Sequence, residues 1–158
     1  MTGLRSVWIA LGGNLGDRRA NLEGALAALD GTAGLRVLRT SEWVQTEPVG
    51  GPDGQPPFLN GVAELECALE PRELLRRLQE IEAAFGRVRT GERNGPRTLD
   101  LDVLFYGDEE VLEPDLVIPH PRLEERTFVL QPLARLIPDR RLPRCGRTVS
   151  ERLAELSR

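Results

Sequence analysis

The sequence of 158 residues contains no lysine, and all 21 of its lysine-or-arginine cations are arginine. Without lysine, Schiff-base chemistry and the lysine of a Walker A phosphate loop are excluded. A phosphate held by a side-chain cation is therefore expected to be held by a guanidinium group, with its planar two-point geometry. The chain also lacks any apolar run near the roughly 18 residues that a membrane span requires.

Cysteine and histidine are scarce, with two cysteines and one histidine. Cys67 and Cys145 lie far apart and lack the spacing of a metal or redox motif. We therefore expect free thiols in a reducing compartment, and hence a cytoplasmic protein without structural zinc. The N-terminus, MTGLRSVWIALGGN, has one arginine and a very short apolar stretch, so no signal peptide is expected.

The net charge is −4, which disfavours general attraction to nucleic acid or to an anionic membrane. Hydrophobic residues make up 40% of the chain, enough for a globular core. We expect a single domain over residues 1–158, too short to include a fused second enzyme, and a monomer.

Apolar periodicity predicts the order β-α-β-β-α-β followed by further elements. Strands are expected at 7–11, 35–47, 58–69 and around 99–105, and helices after the N-cap Asp17, from Pro71 to Gly86, near 127–136, and at the end after Ser150. The predicted fold class is α+β. It is a ferredoxin-like antiparallel sheet with helices on one face, plus C-terminal additions.

Two aspartates, Asp100 and Asp102, stand one residue apart in the stretch NGPRTLDLDVLFYG. On a strand they share one face, about 6.5–7 Å apart at Cα. Leu99, Leu101 and Val103 then enter the core from the other face. Two explanations remain open at this point: a solvated polar strand face, or carboxylates that bind Mg²⁺, a cation usually completed by water and substrate phosphates.

The polar loop before this strand is rich in arginine: Arg87, Arg89, Arg93 and Arg97. Carboxylates beside arginines suit a metal–polyphosphate site, because the carboxylates bind the metal and the guanidinium groups bind phosphate oxygens. The alternative is a solvated loop that is neutralised by Glu80, Glu82 and Glu92.

Four motifs occur in a familiar order over about residues 5–140: ALGGNLGD, PVGG with QPPFLNGV, GRVRTGERNGPRTLDLDVLFYG, and IPHPRLEERTFVLQPL. With these motifs the chain resembles the 6-hydroxymethyl-7,8-dihydropterin pyrophosphokinase family of folate biosynthesis. The resemblance implies Mg²⁺-dependent transfer of the β and γ phosphates of ATP to the hydroxymethyl oxygen of the pterin, with release of AMP. ATP and the pterin are then the binding partners.

The resemblance also implies roles for individual residues. Asp100 and Asp102 are implied to bind two Mg²⁺ ions. The same two aspartates, together with Arg87 and Arg97, are implied to be catalytic, with the arginines acting around the transferring phosphates. The implied nucleotide-binding residues are Gln79, Glu82, Arg89, Arg97, His120 and Arg126. The implied pterin-binding residues are Thr46, Val49, Phe58, Asn60 and Phe128, with the pterin between the two phenylalanines. No general base is assigned.

Taken singly, each of these residues has an ordinary structural explanation, and two other functions remain alternatives. One is a ferredoxin-like module that binds RNA or a small regulatory ligand, and the other is a different phosphotransferase. The loops at 49–57 and 89–97 are expected to close over the substrates. The chain departs from common family residues at Phe58, Thr90, Asn94 and Pro121, which leaves the aspartate pair intact.

Overall fold

The structure is a computed structural model that describes residues 3–47, 54–86 and 98–157. Its elements are β1 (Arg5–Gly13), α1 (Arg18–Asp30), β2 (Leu35–Thr40), β3 (Val44–Thr46), β4 (Phe58–Cys67), α2 (Pro71–Ala84), β5 (Asp100–Tyr106), β6 (Val111–Glu113), β7 (Leu116–Ile118), α3 (Thr127–Leu136) and α4 (Val149–Leu156). A 3-10 turn at Leu123–Glu125 precedes α3. The predicted α+β class is confirmed.

The main sheet has the strand order β2-β4-β1-β5, with β3 also paired to β4, and every pairing is antiparallel. The single strand predicted over 35–47 is divided into β2 and β3. The chain leaves the sheet between Thr40 and Val44. In this interval Trp43 packs directly on Gly61, where an added Cβ would lie 2.5 Å from the indole ring. Ser41 stays bound to β4 through Val62, whose backbone N–H donates to the serine Oγ at 2.9 Å.

One face of the sheet is covered by α1 and α2. Asp17 caps α1 as predicted, accepting a hydrogen bond from the backbone N–H of Ala20 at 3.1 Å. Helix α2 begins at Pro71 and is followed by Gly86, whose φ of +81° suits a residue without Cβ. The core on this face includes Val7, Ile9, Leu11, Leu22, Leu29, Ala63, Leu65, Leu74, Leu78, Leu101 and Val103.

The other face is partly covered by the C-terminal helices α3 and α4, so helices lie on both faces of the sheet, although α1 and α2 of the β-α-β-β-α-β core share one face as predicted. Strand β5 is irregular on this face. Ile9 pairs with Val103 and Trp8 with Phe105, which leaves Leu104 as the extra residue of a β-bulge. Leu104 and Phe105 consequently both join Trp8 in a second apolar cluster. Helices α3 and α4 bury that cluster.

The C-terminal part also corrects one detail. Helix α4 is capped by Thr148 rather than Ser150, through a capping box in which Thr148 and Glu151 exchange side-chain-to-backbone hydrogen bonds. The segment DLVIP contains β7, the second strand of the hairpin β6–β7. Cys67 is buried and Cys145 exposed, and both are free, as predicted. Within the described ranges, no helix has the length and apolar composition to cross a membrane.

Candidate active site

A cavity of about 490 Å³ opens on the second face, where the cover from α3 and α4 stops. Strands β1, β4 and β5 form its floor, and the segment around the 3-10 turn forms one wall. Its polar and aromatic lining residues are Thr46, Glu47, Phe58, Asn60, Asp100, Asp102, His120, Arg122, Glu125, Arg126, Thr127 and Phe128.

Asp100 and Asp102 both line this cavity from β5. Their partners across the sheet on β1 are Gly12 and Ala10, the smallest side chains available, which leave room above the strand. Leu101, between the two aspartates, is only 5% exposed and belongs to the opposite core. The alternation of β5 therefore projects two carboxylates into one cavity while the intervening leucine anchors the strand.

His120 and Arg126 face Asp102 from the cavity wall. The His120 Nε2 lies 4.0 Å from Asp102 Oδ1, and an Arg126 Nη1 lies 4.0 Å from Asp102 Oδ2. The backbone N–H of His120 donates to the carbonyl of the bulged Leu104 at 3.1 Å, so the irregularity in β5 also positions this histidine.

The imidazole of His120 is neutral at pH 7. Burial, and then the positive charge of Arg126, lower its pKa to about 4. Its Nδ1 accepts the backbone N–H of Arg122 at 3.1 Å, which assigns the remaining ring proton to Nε2. The wall therefore presents an N–H donor and a guanidinium group to any anion bound near Asp102.

The opposite end of the cavity is aromatic. Phe58 and Phe128 both line it, and the Arg126 guanidinium lies 5.6 Å from the centre of the Phe128 ring. Asn60 is 8% exposed, and its Nδ2 donates to Thr46 Oγ1 at 2.6 Å. This end offers two ring faces and an amide side chain whose orientation is fixed by a hydrogen bond.

Several residues named from the sequence lie elsewhere. Gln79 is exposed on α2 and is not among the cavity-lining residues. Glu82 is 5% exposed, and its Oε2 accepts the backbone N–H of Leu101 at 2.8 Å, so it holds the strand between the two aspartates. The remaining four lie outside the described residues: Val49, Arg87, Arg89 and Arg97. Most of the loops at 49–57 and 89–97 lies outside them too.

Sequence reasoning missed Arg122, which lines the cavity two residues after His120. It also missed a support for the aromatic end. Asn14 is 2% exposed, and its Nδ2 donates to Gln55 Oε1 at 3.1 Å and to the carbonyl of Pro56 at 3.0 Å. Arg18 donates to the carbonyl of Pro57 at 2.8 Å. The available signal for Asn14 was its place at the end of LGGN, directly after an apolar strand. A polar residue there is typical of a turn, and the pattern does not indicate which residues it would bond.

The donor set fits Mg²⁺ better than a transition metal. Among the described residues, no group of three or more His, Cys, Asp or Glu side chains is placed to hold a metal ion. Two carboxylates facing an open cavity instead match the protein share that is typical of a Mg²⁺ site completed by water and substrate phosphates. Zinc sites of three or four protein ligands have a different donor count.

Comparisons with known proteins identify the family. Residues 8–138 match the family model described as 7,8-dihydro-6-hydroxymethylpterin-pyrophosphokinase (HPPK). Two curated relatives are named 2-amino-4-hydroxy-6-hydroxymethyldihydropteridine pyrophosphokinase. The one from Pseudomonas aeruginosa is 45% identical over 151 residues, 96% of this chain and 91% of the relative. The one from Synechocystis is 45% identical over 148 residues, 94% of this chain and 74% of the relative.

Solved structures support the fold alone. The wild-type HPPK-DHPS of Plasmodium falciparum with pteroate has a TM-score of 0.76 at 14% identity and matches 98% of this chain. The present chain spans 43% of that chain, and 43% of the A437G variant of the same protein, whose TM-score is 0.75. An α+β fold with an antiparallel sheet is therefore shared with these longer proteins.

Proposed function

Because this chain belongs to the 7,8-dihydro-6-hydroxymethylpterin-pyrophosphokinase family, we infer that it transfers pyrophosphate from ATP to 6-hydroxymethyl-7,8-dihydropterin and releases AMP, a step of folate biosynthesis. The observation that carries this function is a single cavity lined by Asp100 and Asp102 and also by Phe58 and Phe128. The aspartate pair suits a polyphosphate that is bound through Mg²⁺, and the phenylalanine pair suits a flat heteroaromatic ring.

We propose that Asp100 and Asp102 hold two Mg²⁺ ions together with the phosphates of ATP. When bound, these ions supply charge neutralisation for the phosphate chain. The protein's share is placement, since the small residues Ala10 and Gly12 across from the aspartates leave space for the hydrated ions. Glu82 supports this placement by holding the backbone of Leu101.

Guanidinium groups and one histidine are proposed to bind the phosphate oxygens. Arg126 and the Nε2–H of the neutral His120 point at this part of the cavity, so the histidine acts as a hydrogen-bond donor and the arginine as the cation. Arg87 and Arg97 are proposed to act on the transferring phosphates, and the further nucleotide contacts are proposed to be Gln79, Glu82 and Arg89. Phosphoryl-type transfer depends on such positioning and charge stabilisation.

The pterin is proposed to stack between Phe58 and Phe128, with the amide of Asn60 reading its donor and acceptor edge and with Thr46 and Val49 beside it. The hydrogen bond from Asn60 to Thr46 supports this assignment, because it fixes the amide before the substrate arrives. The hydroxymethyl oxygen then lies toward the aspartate end, which is the direction an attack on the β phosphorus requires.

We propose a ferredoxin-like description of the fold, since the order β2-β4-β1-β5 places the strands as the split β-α-β arrangement does. We also propose that residues 1–158 form one pyrophosphokinase domain and act as a monomer, which the elution volume on size-exclusion chromatography tests. The cytoplasmic location stays a prediction, with the two free cysteines in its favour.

The product of ATP consumption tests the function. Incubated with ATP, Mg²⁺ and 6-hydroxymethyl-7,8-dihydropterin, the protein is expected to form AMP and the pterin diphosphate in equal amounts. Formation of ADP instead would indicate a different phosphotransferase. The control without pterin distinguishes transfer from hydrolysis, because AMP formed at the same rate in that control would contradict pyrophosphoryl transfer.

A further inference from the structure

Residues 119–126 join β7 to α3 and supply much of the polar wall of the cavity. The segment contributes His120, Arg122 and Arg126 to that wall. All of these residues are described, and their regular structure is a single 3-10 turn, Leu123–Glu125. Hydrogen bonds within the segment form the turn itself. Contacts with other parts of the chain determine where this turn, and with it the cations, stands.

The contacts come from the C-terminal part of the chain, through Glu124. Glu124 is 8% exposed, and its two carboxylate oxygens accept the backbone N–H groups of Arg144 and Cys145, each at 2.8 Å. Its own carbonyl accepts from the Nε of Arg152 at 2.7 Å. The guanidinium group of Arg144 also donates to the carbonyl of Pro121. We name this set of hydrogen bonds the Glu124 clamp.

The donors of the Glu124 clamp are themselves held rigidly. Leu142 donates its backbone N–H to Arg147 at 2.8 Å, which closes the turn that carries residues 144 and 145. Leu142 and Val149 are 1% and 0% exposed in the same apolar cluster as Leu123. A buried carboxylate is costly unless its oxygens are satisfied, and charge-assisted hydrogen bonds to fixed amides satisfy them well.

We propose that the C-terminal segment, residues 139–157, positions the phosphate-binding wall of the cavity through the Glu124 clamp, with Glu124 as a positioning residue for Arg122 and Arg126. This segment lies beyond residues 8–138, which the family model matches. The proposal rests on the proposed function only in taking the phosphates of ATP as the anion at that wall. The pterin end of the cavity is built from β1, β3 and β4 together with Phe128, which belongs to helix α3 and packs against the second apolar cluster. None of the hydrogen bonds of the clamp involves these residues.

The variant Glu124→Gln tests the proposal, since glutamine keeps the size but turns an NH₂ group toward one of the two backbone donors. The KM for ATP is expected to rise about tenfold, which corresponds to about 1.4 kcal/mol of binding free energy. The KM for the pterin and kcat are expected to change less than about threefold, because the lost contacts serve ATP binding. A merely structural role would lower the melting temperature without separating these constants.

The matched control is Glu151→Gln, which makes the same change at an exposed carboxylate of α4 that accepts the backbone N–H of Thr148 and does not touch residues 121–124. It is expected to keep the wild-type KM for ATP. An unchanged KM for ATP in Glu124→Gln, or an equal rise in Glu151→Gln, would overturn the proposal.

Amide exchange of the wild-type protein decides the matter even where Glu124→Gln does not fold. The N–H groups of Arg144 and Cys145 are expected to exchange slowly, and more slowly still with the α,β-methylene analogue of ATP bound. Exchange at the rate of an open surface turn would overturn the clamp. A wild-type protein that forms no AMP would refute the proposed function instead, and these amides would still report on the clamp.

Discussion

The two faces of the sheet carry different kinds of side chain. On the face toward α1 and α2, β1 contributes Val7, Ile9 and Leu11, which are large and 0–1% exposed. On the face toward α3 and α4, the same strand contributes Trp8, Ala10 and Gly12, which become smaller along the chain. The first face is a closed core. The second is closed at the Trp8 end and opens into the cavity at the Gly12 end.

This difference separates stability from function. Where side chains are large and both layers meet, a substitution changes packing, and the free energy of unfolding follows. Where β1 carries small residues, the space above them is available to a ligand, and polar side chains of β4 and β5 can face it. Substitutions on the two faces should therefore produce separable effects, and four experiments test that separation.

The largest expected effect is on the open face. Asp100→Ala and Asp102→Ala are each expected to lower kcat/KM by about a thousandfold or more, because metal-assisted charge stabilisation supplies several kcal/mol. The fold should persist, since each change removes one of two neighbouring like charges. Rates of AMP formation and thermal unfolding measure the two quantities. Asp108→Ala is the control, because the side chain of Asp108 is 99% exposed and lies outside the cavity. A fully active double variant of Asp100 and Asp102 would contradict the assignment of function to the open face.

On the closed face, Leu78→Ala should lower the stability of the protein and leave its activity nearly unchanged. Leu78 is 0% exposed in the core below α2, so the change should cost about 2–5 kcal/mol of unfolding free energy. At a temperature where the variant is folded, kcat/KM should stay near the wild-type value. Denaturant unfolding and steady-state kinetics check this. Leu112→Ala, at a side chain that is 71% exposed, is the control and should shift stability by less than about 0.5 kcal/mol. A large loss of kcat in folded Leu78→Ala would show that the faces are coupled.

Gly12→Ala tests the boundary between core and cavity. An added Cβ would lie 2.5 Å from Asn60 Oδ1, so the amide must move and its hydrogen bond to Thr46 is disturbed. We expect a loss of about 1–3 kcal/mol in stability and a KM for the pterin that rises more than the KM for ATP. Gly31→Ala is the control, because its Cβ would meet nothing closer than 3.4 Å. Equal changes in both KM values would place Asn60 outside the pterin end.

The smallest expected effect is a pH dependence of stability at Glu151 of α4, one of the two helices that cover the second face. Hydrogen bonds from Thr148 hold the pKa of Glu151 below its ordinary value of 4.5 in the folded protein. A lowered folded pKa contributes stability above the ordinary value, and that contribution is lost as the pH falls through the lowered one. The difference in melting temperature between wild type and Glu151→Gln should therefore shrink as the pH falls from about 6 to below the ordinary value of 4.5. A difference that grows on acidification would contradict the assignment.

Much of the fold could be predicted from local patterns. The N-cap Asp17, the helix from Pro71 to Gly86 and the helix at residues 127–136 follow from capping residues and apolar periodicity, and the structure confirms them. The second helical layer could not be predicted in this way. It covers the face that carries Trp8, Val62 and Leu104, and Phe105 joins this face through a bulge that depends on pairing with the distant strand β1.

The candidate site divides in the same way. That Asp100 and Asp102 would share a face follows from the two-residue period of a strand, and the family motifs supplied the aromatic and amide residues around them. The contacts of Asn14 and the Glu124 clamp could not be predicted, because their partners lie about 20 residues or more away along the chain. Both depend on which loops the packed sheet brings together.

By itself, the sequence determined the element order, the α+β class, the projection of the aspartate pair and the pyrophosphokinase family. Strand alternation, helix capping and motif spacing involve residues that are close in the sequence, so they can be recognised without a structure. Only the tertiary structure decided where the cavity opens, which face each helix covers and what holds His120, Arg122 and Arg126 in place. Those features arise from contacts between segments far apart in the chain, and such contacts exist only once the sheet has formed.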